Sequence, residues 1–317
     1  MSTSSILIQG AAGFVAQTLT PMLSRLKGIE HLMLVDRKPI PEKLKGALSQ
    51  YPVEIYYFVE DNIVNLTLPV QPDIVISLAG MTDVDQALMN PNFAFCSNTS
   101  IAINIGEWLR LQPKNIRLIY VSSDEVLGET FFPLTESAPL NPTQPYAASK
   151  AAAEIILHNY RDVYKLDVVT LRSCNLIGEN LRARKLIPVT VKSILLNKPV
   201  SVYDDGSAKR EWMAVEDLCD AILCLLGENI HPGIYHASSG VHLTIRQVLD
   251  IISNELNVPI EQKFTTGRLI HDRCYATDSK KLRGLGWAPK IDPSKSIADA
   301  ARQMANTALL GDFNFEV

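Results

Sequence analysis

The strongest constraint in this 317-residue chain is an alternation. Short runs of β-branched and aliphatic residues recur along its first two-thirds, separated by longer stretches with helical apolar spacing. Residues 5–8, 32–35, 74–78, 118–121 and 168–171 read as strands that are apolar on both faces. Residues 13–27, 92–111 and 145–164 have the spacing of amphipathic helices. Such strands need cover on both sides, and the crossover between two parallel strands is right-handed, so this order specifies a doubly wound parallel sheet. The fold class read from it is α/β, Rossmann-type. From about residue 176 the segments become shorter and more polar, with turn signals at Asp204-Asp205-Gly206, His231-Pro232-Gly233 and Ser238-Ser239-Gly240. The expected division is a nucleotide-binding sheet domain over residues 1–175. Residues 176–317 form a smaller C-terminal substrate-binding lobe, with some segments returning to the sheet.

Composition narrows the class of partner. With 47% apolar residues and a net charge of -4 spread over interspersed signs, the chain can bury a core but has no basic face for nucleic acid or an anionic membrane. The N-terminus lacks the basic and apolar regions of a signal peptide, and no apolar run is long enough for a spanning helix. The five cysteines, Cys96, Cys174, Cys219, Cys224 and Cys274, have no metal-ligand spacing, which points to reduced thiols and no metal site. A soluble cytoplasmic protein is expected.

After the first strand comes Gly10-Ala11-Ala12-Gly13-Phe14-Val15-Ala16, where small residues let the backbone turn tightly and approach a pyrophosphate at a helix N-terminus. Ala16 stands at the position usual for the third glycine. The second strand ends at Asp36, whose carboxylate can accept hydrogen bonds from adenosine ribose hydroxyls and repel a 2′-phosphate, which favours NAD over NADP. Arg37 follows, either as a solvated side chain or as a partner for such a phosphate. Asp61 and Asn62 are candidates to meet the adenine or are simply solvated.

Tyr146 and Lys150 form a Tyr-x-x-x-Lys pair at the start of a helix, and their spacing puts both side chains on one face. An ammonium beside a phenol stabilises the phenolate, so Lys150 is expected to pull Tyr146 down from its ordinary value of about 10 and make it a general base. Upstream, Val121-Ser122-Ser123-Asp124-Glu125-Val126-Leu127-Gly128 marks a strand end at the ligand-binding edge of the sheet. Two adjacent carboxylates there either cap the following turn or do chemistry.

Across nearly its whole length the sequence resembles the NAD-dependent epimerase/dehydratase family of extended short-chain dehydrogenases/reductases. It is most similar to the dTDP-glucose 4,6-dehydratase branch. Beyond the glycine loop, the likeness rests on Asp73-Ile74-Val75-Ile76-Ser77-Leu78-Ala79-Gly80, Asn98, Pro145-Tyr146-Ala147-Ala148-Ser149-Lys150 and Leu171-Arg172-Ser173-Cys174-Asn175-Leu176-Ile177-Gly178. In the lobe it rests on Lys185-Leu186-Ile187-Pro188, Arg210-Glu211-Trp212 with Val215-Glu216-Asp217, and His271-Asp272-Arg273 with Tyr275-Ala276. The resemblance implies a nucleotide-diphosphate sugar as substrate and NAD as a cofactor regenerated each turnover. It gives cofactor contacts to Leu78, Ala79, Gly80, Asn98, Val121 and Ser122 besides the glycine loop, and to Lys150 through the nicotinamide ribose. It implies that Ser123 holds the sugar C4 hydroxyl, Tyr146 takes its proton, Glu125 removes the C5 proton and Asp124 protonates the departing C6 hydroxyl. It places Asp83, Asn175, Lys185, Leu186, Tyr203, Arg210 and His271 around the substrate. It also implies a homodimer in which residues 92–111 and 145–164 pair across a two-fold axis; their alternative is burial within the monomer.

The chain departs from the branch at Met81-Thr82-Asp83-Val84-Asp85, at Leu127 and at Glu179-Asn180-Leu181-Arg182, which leaves the nucleotide and the hexose open. A 4-epimerase, decarboxylase or 4-ketoreductase would use the same Tyr146 and Lys150, and a Rossmann protein that only senses NAD would need neither. Trp212 and Trp287 read as lobe-core residues.

Overall fold

The computed structural model describes residues 4–181, 184–266, 269–270 and 272–309. In chain order the first half runs β1 (Ser5–Gln9), α1 (Phe14–Ser24), β2 (His31–Asp36), α2 (Glu42–Leu48), β3 (Glu54–Val59), β4 (Ile74–Ser77), α3 (Val84–Met89), α4 (Pro91–Arg110), β5 (Arg117–Ser123), α5 (Pro145–Tyr164) and β6 (Val168–Ser173). The second half runs β7 (Asn175–Ile177), α6 (Leu186–Leu195), β8 (Val200–Tyr203), β9 (Lys209–Ala214), α7 (Val215–Cys224), β10 (Gly233–Ala237), β11 (His242–Thr244), α8 (Ile245–Leu256), β12 (Gln262–Thr265), α9 (Lys280–Arg283) and α10 (Pro293–Leu309).

Seven parallel strands build the central sheet in the order β10-β6-β5-β4-β1-β2-β3. The doubly wound reading is correct, and the strand order reverses between β1 and β4, where such sheets open a crevice at their carboxyl ends. Successive residues of β1 supply both cores. Ile6 and Ile8 join a cluster with α1 and α7, while Leu7 joins one with α4 and α5. That is why the strand has no polar face: a period of two sends alternate side chains into two apolar layers. Each such residue contributes roughly 1.5–3 kcal/mol by leaving water.

Helix α5 occupies residues 145–164 as read, whereas α1 stops at Ser24 rather than near residue 27. β10 follows the lobe's first elements yet pairs with β6, and α7 packs on α1, so part of the C-terminal half completes the sheet domain. The remainder builds a three-stranded sheet in the order β11-β9-β7, a β12-β8 pair, and an apolar layer of α6, α8 and α10 around Trp212. Trp287 corrects the reading from sequence. It lies in the sheet-domain core, where its indole N–H donates to the Asp217 carbonyl at 2.9 Å. All five cysteines are free, and among the described residues no helix is long and apolar enough to cross a membrane.

One charged pair lies wholly inside this frame. The Arg172 guanidinium of β6 donates to both carboxylate oxygens of Glu154 on α5, with the shortest contact 2.7 Å, and the side chains are 2% and 0% exposed. Arg172 also faces His236 of β10 at 3.4 Å, and burial with that nearby cation pushes the imidazole down to about 4, so it stays neutral. The pair ties α5 to the sheet, and either charge alone would be stranded in an apolar layer. Replacing Arg172 by Met is therefore expected to lower stability by about 3–5 kcal/mol, and adding Glu154→Leu to recover most of the loss. Urea denaturation midpoints of the single and double variants check this.

Candidate active site

The cofactor side begins where β1 ends. Gly10 adopts φ +85°, and its N–H and that of Ala11 donate to the Val35 carbonyl at 2.9 and 3.1 Å. A Cβ on Gly10 would lie 2.6 Å from the Ala79 nitrogen, so glycine lets the loop close against the end of β4. Asp36 then fixes the loop from β2, since its Oδ2 accepts from the Ala12 N–H at 3.0 Å and its Oδ1 from that of Lys38 at 2.9 Å. Gly13 caps α1 without a side-chain hydrogen bond, and no acidic residue occupies the first turn, which leaves the helix N-terminus open to an anion.

A single cleft of about 510 Å3 extends from this loop to the lobe. Gly10, Gly13, Phe14 and Val15 line one end, with Leu78, Ala79 and Gly80 from the β4 end and Val121 and Ser122 from β5. Several expected cofactor residues sit elsewhere. Arg37 is exposed, and Asn62 spends its carbonyl oxygen on the Val64 N–H as cap of the turn Ile63–Asn65, with Asp61 exposed beside it. Asn98 is 2% exposed and faces inward: its amide bonds both the Met81 N–H and carbonyl, at 2.8 and 3.1 Å, and donates to Ser149 Oγ at 2.7 Å. It holds the Gly80-Met81 loop from behind.

The centre of the cleft is the end of β5. Ser123 caps the short turn Asp124–Leu127, accepting from the Glu125 N–H at 3.3 Å. The turn ends at Gly128, φ +73°, where any Cβ would collide with the Asn141 carbonyl. The two carboxylates of this turn have different surroundings. Asp124 is 4% exposed, and burial, then Glu125, then Glu211 push its carboxyl well above the usual range, against weaker help from Ser123 and Arg210. Glu125 lines the cleft. Burial pushes it up too, but Arg210, Lys185 and a 2.7 Å hydrogen bond from the Gln144 amide pull it back.

Tyr146 and Lys150 share a face of α5 and both line the cleft. The Lys150 ammonium donates to the Val121 carbonyl at 2.8 Å and lies 4.2 Å from the centre of the Tyr120 ring. Burial lowers it to about 8 against the opposing pull of Glu154. The expected depression of Tyr146 is not found. Burial first, then Glu125 and Asp124, raise its phenol above the ordinary value, and Ser123 supplies the one pull downward. A phenol sealed from water beside two acidic groups is a poor phenolate until a further positive charge arrives.

The lobe closes the other end with Asn175, Lys185, Leu186, Tyr203 and Arg210. Lys185 donates to the Thr82 carbonyl at 3.0 Å, and Arg184 lies 3.7 Å from Asp83, so the 82–83 loop and the lobe meet across the cleft. Asp83 also caps α3, accepting from the Gln86 N–H at 2.9 Å. The Arg210 guanidinium stacks 5.0 Å over Tyr275, whose hydroxyl donates to Asp272 at 2.6 Å. His271 lies outside the described residues. Sequence reading missed Thr82, Arg184, the cleft-lining side of Trp212, and Gln144. Only Gln144 carried a local signal, a polar residue just before a proline at the first helical position.

A family model described as the NAD dependent epimerase/dehydratase family matches residues 6–238. The chain belongs to that family. Among curated relatives, the low-salt glycan biosynthesis protein Agl12 of Haloferax volcanii is 29% identical over 90% of this chain and 93% of its own. The dTDP-glucose 4,6-dehydratase of an Actinoplanes species is 28% identical over 93% and 95%. Among solved structures, the dTDP-glucose 4,6-dehydratase DesIV of Streptomyces venezuelae, crystallised with NAD bound, superposes with a TM-score of 0.89 at 25% identity, covering 96% of this chain and 98% of that one.

As a member of this family the protein is an NAD-dependent enzyme, and the open α1 N-terminus, the tight Gly10 turn and the carboxylate at the end of β2 fit that cofactor. Gly10→Ala should weaken NAD binding at least about tenfold, because the added methyl strains the backbone and displaces the loop. Isothermal titration with NAD and melting of the apoprotein would separate that loss from unfolding.

Proposed function

We propose that the protein is an NAD-dependent 4,6-dehydratase of a nucleotide-diphosphate sugar. The observation that carries this reading is the Asp124-Glu125 pair directly after Ser123, with one carboxyl buried and pushed towards its protonated form and the other lining the cleft under the pull of two cations. Elimination of water needs such a split, an acid to give a proton and a base to take one.

NAD, held by the Gly10 loop and the N-terminus of α1, would supply the hydride acceptor for C4 and the hydride donor for C6, with Glu125 handing a proton back to C5. Ser123 orients the C4 hydroxyl and Tyr146 takes its proton, while the Lys150 ammonium, anchored to the Val121 carbonyl, supplies positive charge to this end of the cleft and would hold the nicotinamide ribose. With C4 a ketone, the C5 proton is acidic; Glu125 removes it as Asp124 protonates the C6 hydroxyl, which departs as water. Arg210 and Lys185 face the diphosphate, with Asn175, Leu186 and Tyr203 beside them. dTDP-glucose is the first substrate to test, on the strength of the Actinoplanes and Streptomyces relatives.

The enzyme works as a homodimer in the cytoplasm, in our reading. Phe95 and Ile103 on α4 and Ile155 and Val163 on α5 are exposed apolar residues on two helices packed together, a surface a second copy would cover.

The test is incubation with NAD and dTDP-, UDP-, GDP- and CDP-hexoses and hexuronic acids in deuterated water, with products weighed by mass spectrometry. Loss of one water with deuterium at C5, reduced at least about 100-fold by Glu125→Gln, is the expected result. Unchanged mass with inverted C4, or loss of carbon dioxide, would overturn it.

A further inference from the structure

Resting on the dehydratase reading, we infer that Gln144 is a positioning residue that assigns the base role to Glu125. Gln144 is 5% exposed, lies outside the cleft wall and has extended backbone as the N-cap of α5. Its Oε1 accepts from the Tyr146 N–H at 2.7 Å, and its Nε2 donates to Glu125 Oε2 at 2.7 Å. The amide cannot turn over. Pro145 has no N–H, so Tyr146 bears the first donor of the helix, and a backbone N–H donates to the oxygen of an amide and not to its NH2 group. The NH2 group therefore points at Glu125 permanently. A fixed donor stabilises a carboxylate more than a carboxylic acid. Asp124, the neighbouring residue, accepts from the Ser123 hydroxyl at 3.2 Å. One side chain thus anchors the helix that carries Tyr146 and Lys150 and keeps the neighbouring carboxylate in its proton-accepting form.

Other groups act on Glu125 as well. Arg210 of β9 and Lys185 ahead of α6 draw it towards the ionised form, Asp272 opposes them, and Asp124, Tyr146 and Tyr275 feel its charge. The two cations face the cleft and are available to the substrate diphosphate; Gln144 faces away from it. Among the groups that draw Glu125 towards its ionised form, Gln144 is the one outside the lining of the cleft among the described residues.

Two variants isolate the role. Gln144→Glu keeps an oxygen for the Tyr146 N–H and suits a helix N-terminus, but it replaces the donor with a group that must share a proton with Glu125. Gln144→Met removes the donor without adding charge. With the nucleotide hexose accepted by the wild-type enzyme, C4 oxidation is followed by absorbance of the reduced cofactor and C5 proton removal by deuterium uptake, each across pH. Both variants should lose C5 exchange at least about tenfold more than C4 oxidation at pH 7. The acid limb of exchange should move up by about one pH unit or more, since a base with less support for its ionised form needs higher pH to work. Equal loss of both steps, or an unmoved acid limb, would reduce Gln144 to a helix cap and overturn the assignment. No C5 exchange by wild type with any sugar would instead overturn the dehydratase reading, and this inference with it.

Discussion

The central strands have no face turned to water, and the organisation of the site follows from that. A strand such as β1, buried at every residue, can present polar groups only at its ends. At the carboxyl ends of β1, β2, β4 and β5 the chain leaves the apolar layers and exposes, in turn, the Gly10 loop, Asp36, the Leu78-Ala79 turn and Ser122-Ser123. The reversal of strand order between β1 and β4 separates the flanking helices there, so the ends of β1, β4 and β5 line one cleft, while Asp36 holds the Gly10 loop from β2. The lobe then needs only to cover it, which Lys185 and Arg184 do by reaching the 82–83 loop.

Within that setting, burial does most of the electrostatic work. It raises Asp124, Glu125 and Tyr146 and lowers Lys150, each time against the charged form. What distinguishes the groups is who compensates. Glu125 has an amide and two cations, Lys150 has a carbonyl and a ring face, and Asp124 has one hydroxyl and the weaker pull of Arg210. A difference of a single hydrogen bond to a charged group is on the order of 1.5–3 kcal/mol, enough to reverse which of two adjacent carboxyls holds a proton.

The sheet was legible because its signal is redundant: five apolar runs between three amphipathic stretches admit few other folds. β10 was not, since Gly233–Ala237 is short, follows a loop of the lobe, and owes its place to β6 rather than to its own pattern. Tyr146, Lys150, Ser123 and Glu125 were legible as types at a strand end and a helix start, and they share the cleft. The sign of the Tyr146 shift was not, because helical spacing gives the direction of a side chain but not its depth of burial or its competing neighbours. Asn98, Asn62 and Gln144 show the same limit. Their amides are polar groups whose partners are set by tertiary contacts, so the sequence marks them without saying whether they face the ligand or the protein.

In the proposed reaction the two adjacent carboxyls divide the roles of acid and base by their surroundings. Infrared difference spectroscopy of the protonated carboxyl stretch tests it directly, with the apoprotein titrated across neutral pH. A protonated band that persists above pH 7, disappears in Asp124→Asn and survives in Glu125→Gln with its loss moved to lower pH is the expected result. A band that vanishes instead with Glu125→Gln, or no protonated band at all, would contradict the account.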